Sequence, residues 1–353
     1  MKIDNDAMSA AGSYIDKRDF PRKGTTREQI LFSLNYAICA PSFYDSQPWQ
    51  FAIDDQARHV NIYVNQSQWL RVADPQKREL HISLGRALEN FLVALDHFGL
   101  GHVVAYFPNG EDGDWVARVR VVEHRESIDP RPPSLLDAIQ VVQDNGHTYK
   151  AQRISAEDLG KIGGFLVDFK YDDSDMIHRI TLQTTDDRAL VGSLGQLAAH
   201  CQTIMFADGA FRQDLTRVMR QNIYGNQSSP APQLAGAGAI DAEFWQRVAA
   251  REMQTICDAP LVGILTSNMD TPTALVKTGQ AYERLALEAA LVGIGLYPLY
   301  QLLELFEMRS AVQRLCPDLY GFPQLVLMLG YVATKHDVGI SRRIPLDSVM
   351  LRI

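Results

Sequence analysis

A near-repeat inside the chain constrains its fold more than any other feature. When Gly85 is laid on Gly279, an offset of 194 residues, Gly85-Arg-Ala-Leu-Glu-Asn-Phe-Leu falls on Gly279-Gln-Ala-Tyr-Glu-Arg-Leu-Ala, and Phe98-Gly-Leu-Gly on Val292-Gly-Ile-Gly. Gly85, Ala87, Glu89, Gly99, Gly101 and Tyr106 all meet identical residues. Each copy reads as a long helix stopped by glycine and leading into an extended segment. Two explanations stand: a duplicated α+β unit, or a chance match of two helices that both carry Gly and Ala. By itself the repeat suggests the first.

The length of 353 residues suits either two ordinary domains or one duplicated domain. Apolar residues make up 46% and charged residues 22%, which places the chain among soluble globular proteins and excludes wholesale disorder. A net charge of −8 argues against a non-specific grip on nucleic acid or an anionic membrane, and leaves a small-molecule substrate as the expected partner. Cys39, Cys201, Cys257 and Cys316 stand far apart without a C-x-x-C pair, so neither a zinc knuckle nor a disulfide framework is expected, and a reducing cytoplasm fits. The opening MKIDNDAMSAAGS lacks the apolar core of a secretory signal. The apolar run Ala289 to Leu303 is broken by Gly293, Gly295 and Pro298 and is shorter than the roughly 20 residues that span a bilayer, so it reads as buried core.

Gly, Pro, Ser and Asn mark loops at Pro108–Asp114, Ile128–Ser134 and Tyr224–Asp241. Helical patterns cover Glu28–Ala40, Leu135–Asn145, Arg188–Met205, Phe211–Gln221 and Asp241–Ile256. Strand patterns cover Phe51–Ile53, Val60–Val64, Val116–Val122, Ile177–Thr184 and Leu261–Leu265. The expected class is α+β, divided into an extension at 1–24, a first half at 25–134 and a second half at 135–353. The segment 224–241 is either a lid or a loop without function. No G-x-G-x-x-G follows a strand, and Gly192-Ser-Leu-Gly195 is not a hydrolase elbow, so neither a Rossmann site nor a serine hydrolase is indicated. His97, His102 and the His200-Cys201 pair lack metal-ligand spacing, and no metal site is expected. Trp69, Trp115 and Trp245 read as packing residues.

Four segments carry a more specific signal. Pro41-Ser42 leads through Asp45 and Ser46 to Gln47-Pro48-Trp49. Gly146-His147-Thr148-Tyr149-Lys150 groups cationic and hydroxyl donors that taken alone read as solvated surface. Ser341-Arg342-Arg343-Ile344-Pro345 supplies guanidinium groups that taken alone read as a basic terminal tail. The fourth segment, Gly293 to Tyr300, includes Pro298, Leu299 and Tyr300. Together the four resemble the nitroreductase-type FMN flavoproteins, and most closely their two-domain, Acg-like branch, in which one chain mimics the nitroreductase dimer.

The resemblance implies a nitroreductase-like fold, internally duplicated, with one flavin site formed between the halves of a monomeric pseudo-dimer or of a homodimer's subunit. It implies FMN held by Pro41, Ser42, Asp45, Gln47, His147, Thr148, Lys150, Pro298, Leu299, Tyr300, Arg342 and Arg343. Catalytic residues are not assigned, since the cofactor carries the chemistry. Asp45 stands where the family usually has Asn, Gly146 where it has Arg, and Tyr300 where several members have an acid. A carboxylate at 45 would disfavour an anionic reduced flavin. The implied activity is an FMN-dependent oxidoreductase passing reducing equivalents from NAD(P)H to a nitro, quinone or related acceptor. The alternatives are an FMN-sequestering protein with little turnover and a flavin-dependent dehydrogenase of a biosynthetic pathway.

Overall fold

The computed structural model describes residues 14–54, 58–123, 132–142, 147–167, 178–221, 256, 258–335 and 343–352. The architecture is α+β, built from two antiparallel sheets with two long helices crossing between them.

The first set of elements is α1 (Thr26–Ala37), β1 (Trp49–Asp54), β2 (His59–Val64), α2 (Arg78–His97), β3 (Leu100–Tyr106) and β4 (Trp115–Glu123). Its sheet runs β1-β2-β4-β3. Thr25 and Glu28 start α1 as a capping box, each side chain bonding the other's backbone N–H. The strands bury alternating Phe51, Ile53, Val60 and Ile62, which close over α1 and α2 as one core with Leu34, Leu84, Leu88 and Phe91.

After α3 (Leu135–Ile139) and β5 (His147–Tyr149) the second set follows: α4 (Ala156–Gly163), β6 (Ile180–Thr185), α5 (Arg188–Ala207), α6 (Gly209–Gln221), β7 (Leu261–Ser267), α7 (Pro272–Leu291) and β8 (Ile294–Pro298). It continues through α8 (Gln301–Glu304), α9 (Phe306–Leu315) and β9 (Phe322–Lys335), and α10 (Leu346–Val349) ends the order. β9 pairs with β7 and with β8, and its far end pairs with β5. The order β6-β7-β9-β8 therefore repeats β1-β2-β4-β3 strand for strand, and all these pairings are antiparallel in both sheets. Where β1 turns directly into β2, β6 and β7 are separated by α5 and α6.

The repeated glycines lie where the two sets meet. A Cβ on Gly85 would stand 2.0 Å from the Val276 carbonyl oxygen and 3.0 Å from Gly279 Cα. A Cβ on Gly279 would stand 2.0 Å from the Ile82 carbonyl oxygen and 3.0 Å from Gly85 Cα. The repeat offset carries Ile82 onto Val276, so the contact is the same seen from either helix. Only residues without side chains let the backbones of α2 and α7 come this close. Gly99 and Gly293 end their helices with matching φ of +76° and +75°, the left-handed C-terminal turn that glycine adopts without strain.

Beside the crossing lies a buried polar ladder with the same symmetry. Arg86 Nε donates to Glu283 (2.6 Å) and Gln280 Nε2 donates to Glu89 (3.1 Å); the offset exchanges Arg86 with Gln280 and Glu89 with Glu283. Tyr106 donates its hydroxyl to Gln280 (2.6 Å), and the Lys277 ammonium lies 4.8 Å from the Tyr106 ring centre.

Three expectations need comment. The helix expected over 135–145 is described only as Leu135–Ile139, with 143–145 outside the described residues; just past its end the Gln140 side-chain amide bonds both backbone groups of Ile15, at 2.8 and 3.0 Å. The helix expected over 241–256 lies outside the described residues apart from Ile256, and the lid-like 224–241 lies wholly outside them. Among the described residues no helix is long and apolar enough to cross a membrane, and no group of three His, Cys, Asp or Glu could hold a metal ion.

Candidate functional site

Among the described residues, the loop after α1 gathers the most non-glycine positions of positive φ. Pro41, buried, cannot extend the helix. A short 3-10 turn follows at Phe43–Asp45. Within four positions Tyr44, Asp45 and Gln47 adopt φ of 46°, 54° and 48°. Non-glycine residues enter this region at a cost of order 1–3 kcal/mol each and stay only where their surroundings hold them.

Those surroundings come from both sets of elements. Within the loop, Ser42 Oγ accepts from the Gln47 N–H (2.9 Å). From α2, Ser83 Oγ accepts from the Phe43 N–H (3.1 Å). From the carboxy-terminal strap, Arg343 Nη1 donates to Asp45 Oδ1 (3.0 Å), and the Ile344 N–H donates to Gln47 Oε1 (2.9 Å). Gln47 has no exposed surface, so its amide position is set by those partners. The strap continues along β1, where the Leu351 N–H donates to the Phe51 carbonyl (2.7 Å).

The segment after β8 meets the loop from the other side. Pro298 pairs with Leu327 in the sheet. Leu299 is fully buried and donates its N–H to the Val326 carbonyl (2.8 Å). Tyr300 then places its ring edge-on to Phe43, 5.1 Å between centroids. Over the loop, α5 and α6 bring Met205, Phe206, Phe211 and Leu215 into one cluster with Phe43, Leu70 and Ala73. α6 is fastened there by Asp214, which accepts from the Val72 N–H (2.8 Å), and by Arg217, which donates to the Trp69 carbonyl (2.7 Å).

The structure thus brings together Ser42, Asp45, Gln47, Tyr300 and Arg343, with Pro41, Pro298 and Leu299 leading into the group. Thr148 and Lys150 lie exposed on and just after β5, where the Lys150 N–H donates to the Tyr331 carbonyl (2.8 Å). Among the described residues no hydrogen bond or ion pair joins them to Arg343. Gly146, Arg342 and the His147 side chain lie outside the described residues. Phe43, Ser83 and the α5–α6 cover were not foreseen. Ser83 lies only two residues before the repeated Gly85, but nothing in the sequence ties it to a loop forty residues earlier.

The donors suit a phosphate monoester. The Lys150 ammonium makes no ion pair with a described residue, and Thr148 lies two positions before it on β5. Arg343 is the exception, since Asp45 already takes one of its donors.

Comparison with known proteins follows the same lines. A protein of Mycobacterium tuberculosis strain H37Rv, named "Putative NAD(P)H nitroreductase Rv3131", is 22% identical over 323 residues, which cover 88% of this chain and 87% of that one. Another from the same strain, "Putative NAD(P)H nitroreductase acg", is 30% identical over 92 residues, 26% of this chain and 27% of that one. The chain resembles the Acg-like nitroreductases. Among solved structures, the FMN-dependent nitroreductase NfnB of Mycobacterium smegmatis in complex with NADPH is 14% identical with a TM-score of 0.43, covering 61% of this chain and 96% of that one. A nitroreductase with bound FMN from Desulfitobacterium hafniense is 15% identical with a TM-score of 0.39, covering 63% of this chain and all of that one. No family model matches the chain.

Proposed function

We propose that the protein is an FMN-dependent oxidoreductase of nitroreductase type, passing reducing equivalents from NAD(P)H to a nitro, quinone or related small acceptor. The observation that carries this reading is the convergence on one place of the strained 42–47 loop with Tyr300 and the 343–344 strap, both more than 250 residues further along the chain, each segment carrying motif positions. FMN, when bound, supplies the redox chemistry and accepts and returns an electron pair. The chain's own part is to hold and enclose it. Thr148, Lys150 and Arg343, with His147 and Arg342, are the proposed phosphate partners, because terminal phosphate is best met by cations and hydroxyl donors. Pro41, Ser42, Asp45 and Gln47 with Pro298, Leu299 and Tyr300 are proposed to border the ring system. The loop is already fixed by its hydrogen bonds, so binding there needs little ordering of backbone.

The same proposal places the division of the chain at 134/135, derives both halves from one duplicated unit, and has the protein act in the cytoplasm as a monomeric pseudo-dimer or homodimer. The packing of α5 and α6 over Phe43 and Tyr44 favours a second reading, sequestration of FMN with little turnover. Titration of the purified chain with FMN, followed by anaerobic addition of NADPH, separates the readings. Binding with bleaching of the flavin spectrum supports the reductase; binding without bleaching supports sequestration; no binding removes both.

A further inference from the structure

Around the start of α2 lies a cluster of four acids and two arginines drawn from both sets of elements; Asp74, Arg78, Glu79 and Arg309 are buried, Glu304 is partly buried and Asp270 is exposed. Asp74, in the loop before α2, is bonded to the start of that helix: its oxygens accept from the N–H groups of Arg78 (2.7 Å) and Leu80 (2.8 Å). Asp270, just before α7, takes both guanidinium groups, from Arg78 at 2.9 Å and from Arg309 on α9 at 3.0 Å, and also the amide of Gln324 at 3.1 Å. The remaining acids are Glu79 on α2 and Glu304 at the end of α8. None of their four buried carboxyl oxygens has a hydrogen-bond partner, and Glu79 is 1% exposed.

The charge balance of the cluster is decisive. Two guanidiniums and two bonded carboxylates already cancel, so ionised Glu79 and Glu304 would add two buried negative charges with no donor to receive them, and such groups neutralise instead. Burial first, then the Asp74 carboxylate, hold Glu79 well above the ordinary carboxylate range against the pull of Arg78, Arg86 and Arg309. Burial first, then Glu79 and Asp74, do the same for Glu304 against Arg78. Asp270 is held low instead: burial would raise it, but Arg78, Gln324 and Arg309 outweigh that. α5, also packed against α8, keeps its Arg188 on the carbonyls of Ala259 and Pro260 and its His200 exposed.

We propose that Glu79 on α2 and Glu304 on α8 act as a pH-operated switch, leaving the loop held while both are neutral acids and loosening it when they ionise. Each acid is tied to the loop. One turn after Glu79, Ser83 donates to the Glu79 carbonyl (2.7 Å) and accepts from Phe43; one turn before Glu304, Tyr300 packs on the Phe43 ring. Ionisation at alkaline pH therefore acts on Phe43 from both sides and loosens the loop. The inference rests on the fold and its charges, independently of any flavin.

The test uses the full chain without added cofactor. Infrared spectra at neutral pH should show the carbonyl band of protonated carboxylic acids, reduced in Glu79→Gln and in Glu304→Gln and lost on alkaline titration of the wild type. Hydrogen exchange at the Phe43 and Gln47 amides should accelerate over the same interval beyond the intrinsic rise, and should not do so in the double Gln variant. The wild-type folding constant should fall about tenfold per pH unit for each proton retained only by the native state. Absence of the protonated-acid band, or its loss with no response at Phe43 and Gln47, overturns the proposal. Both are read on the wild type, so a variant that fails to fold does not prevent the decision.

Discussion

Gly85 and Gly279 touch across the crossing of α2 and α7, and each one's missing side chain is the other's clearance. The nearest obstacle to a Cβ on either is a backbone carbonyl oxygen 2.0 Å away, which cannot swing aside as a side chain can.

Gly85→Ala and Gly279→Ala should each destabilise the chain by about 3 kcal/mol or more, at the upper end of overpacking costs. Gly99→Ala should cost only about 1 kcal/mol, since its Cβ meets nothing and the penalty is its φ of +76° alone. Gly160→Ala, in α4 with open space around it, should be neutral or stabilising by a few tenths to about 1 kcal/mol. Urea denaturation of the four variants gives the ranking.

The ladder beside the crossing predicts a strong coupling. Arg86 and Glu283 are 1% and 0% exposed at their side chains, so Arg86→Met should cost about 3–5 kcal/mol by leaving a buried carboxylate uncompensated. The double variant Arg86→Met/Glu283→Leu should recover much of that loss. A double-mutant cycle with coupling near zero contradicts this account.

For the proposed phosphate site, Arg343→Ala and Lys150→Ala should each weaken FMN binding by roughly ten- to a hundredfold, the worth of about 1.5–3 kcal/mol for a charged hydrogen bond. Both losses should shrink at high salt. Asp45→Asn should tighten binding relative to the wild type, because it releases the Arg343 guanidinium. Fluorescence titration with thermal melts alongside distinguishes lost affinity from lost fold.

Acid sensitivity should come in part from His81. Burial, aided by Lys77, lowers its pKa from 6.5 to about 3, so the unfolded chain takes up the proton first and stability is lost as pH falls between those values. His81→Leu should flatten that loss. Asp74 acts in the opposite sense: burial raises it from 3.8 to about 6, and its contribution is lost as pH rises through that interval. Stability curves of His81→Leu and Asp74→Asn against pH should therefore diverge from the wild type in opposite directions.

The sequence reveals what is periodic and local. The glycines of the repeat mark both crossing and helix ends, because a residue without a side chain is needed at each. Strand and helix patterns locate β1, β2, β4, β7 and α5 to within a few residues. Chemistry that depends on tertiary meeting is not legible. Glu79 and Glu304 are each unremarkable in sequence, and only the fold leaves all four of their carboxyl oxygens buried without a hydrogen-bond partner. Ser83 reads as a polar helix residue until Phe43 donates to it. The meeting of the Gln140 amide with Ile15, 125 residues away in sequence, is equally invisible until the chain is folded.

The strap has a consequence for the order of assembly. Most of the first sheet closes through neighbouring hairpins and α2, while the bonds from Arg343 to Asp45 and from Ile344 to Gln47 join positions 298 and 297 residues apart. Contacts that distant form late, because the loss of chain freedom precedes any gain from them. The packing within each sheet therefore sets first and the 42–47 loop is locked afterwards. A folding chain passes through a stage with both sheets in place and the loop still free, and on refolding the contacts of Asp45 and Gln47 recover after the secondary structure.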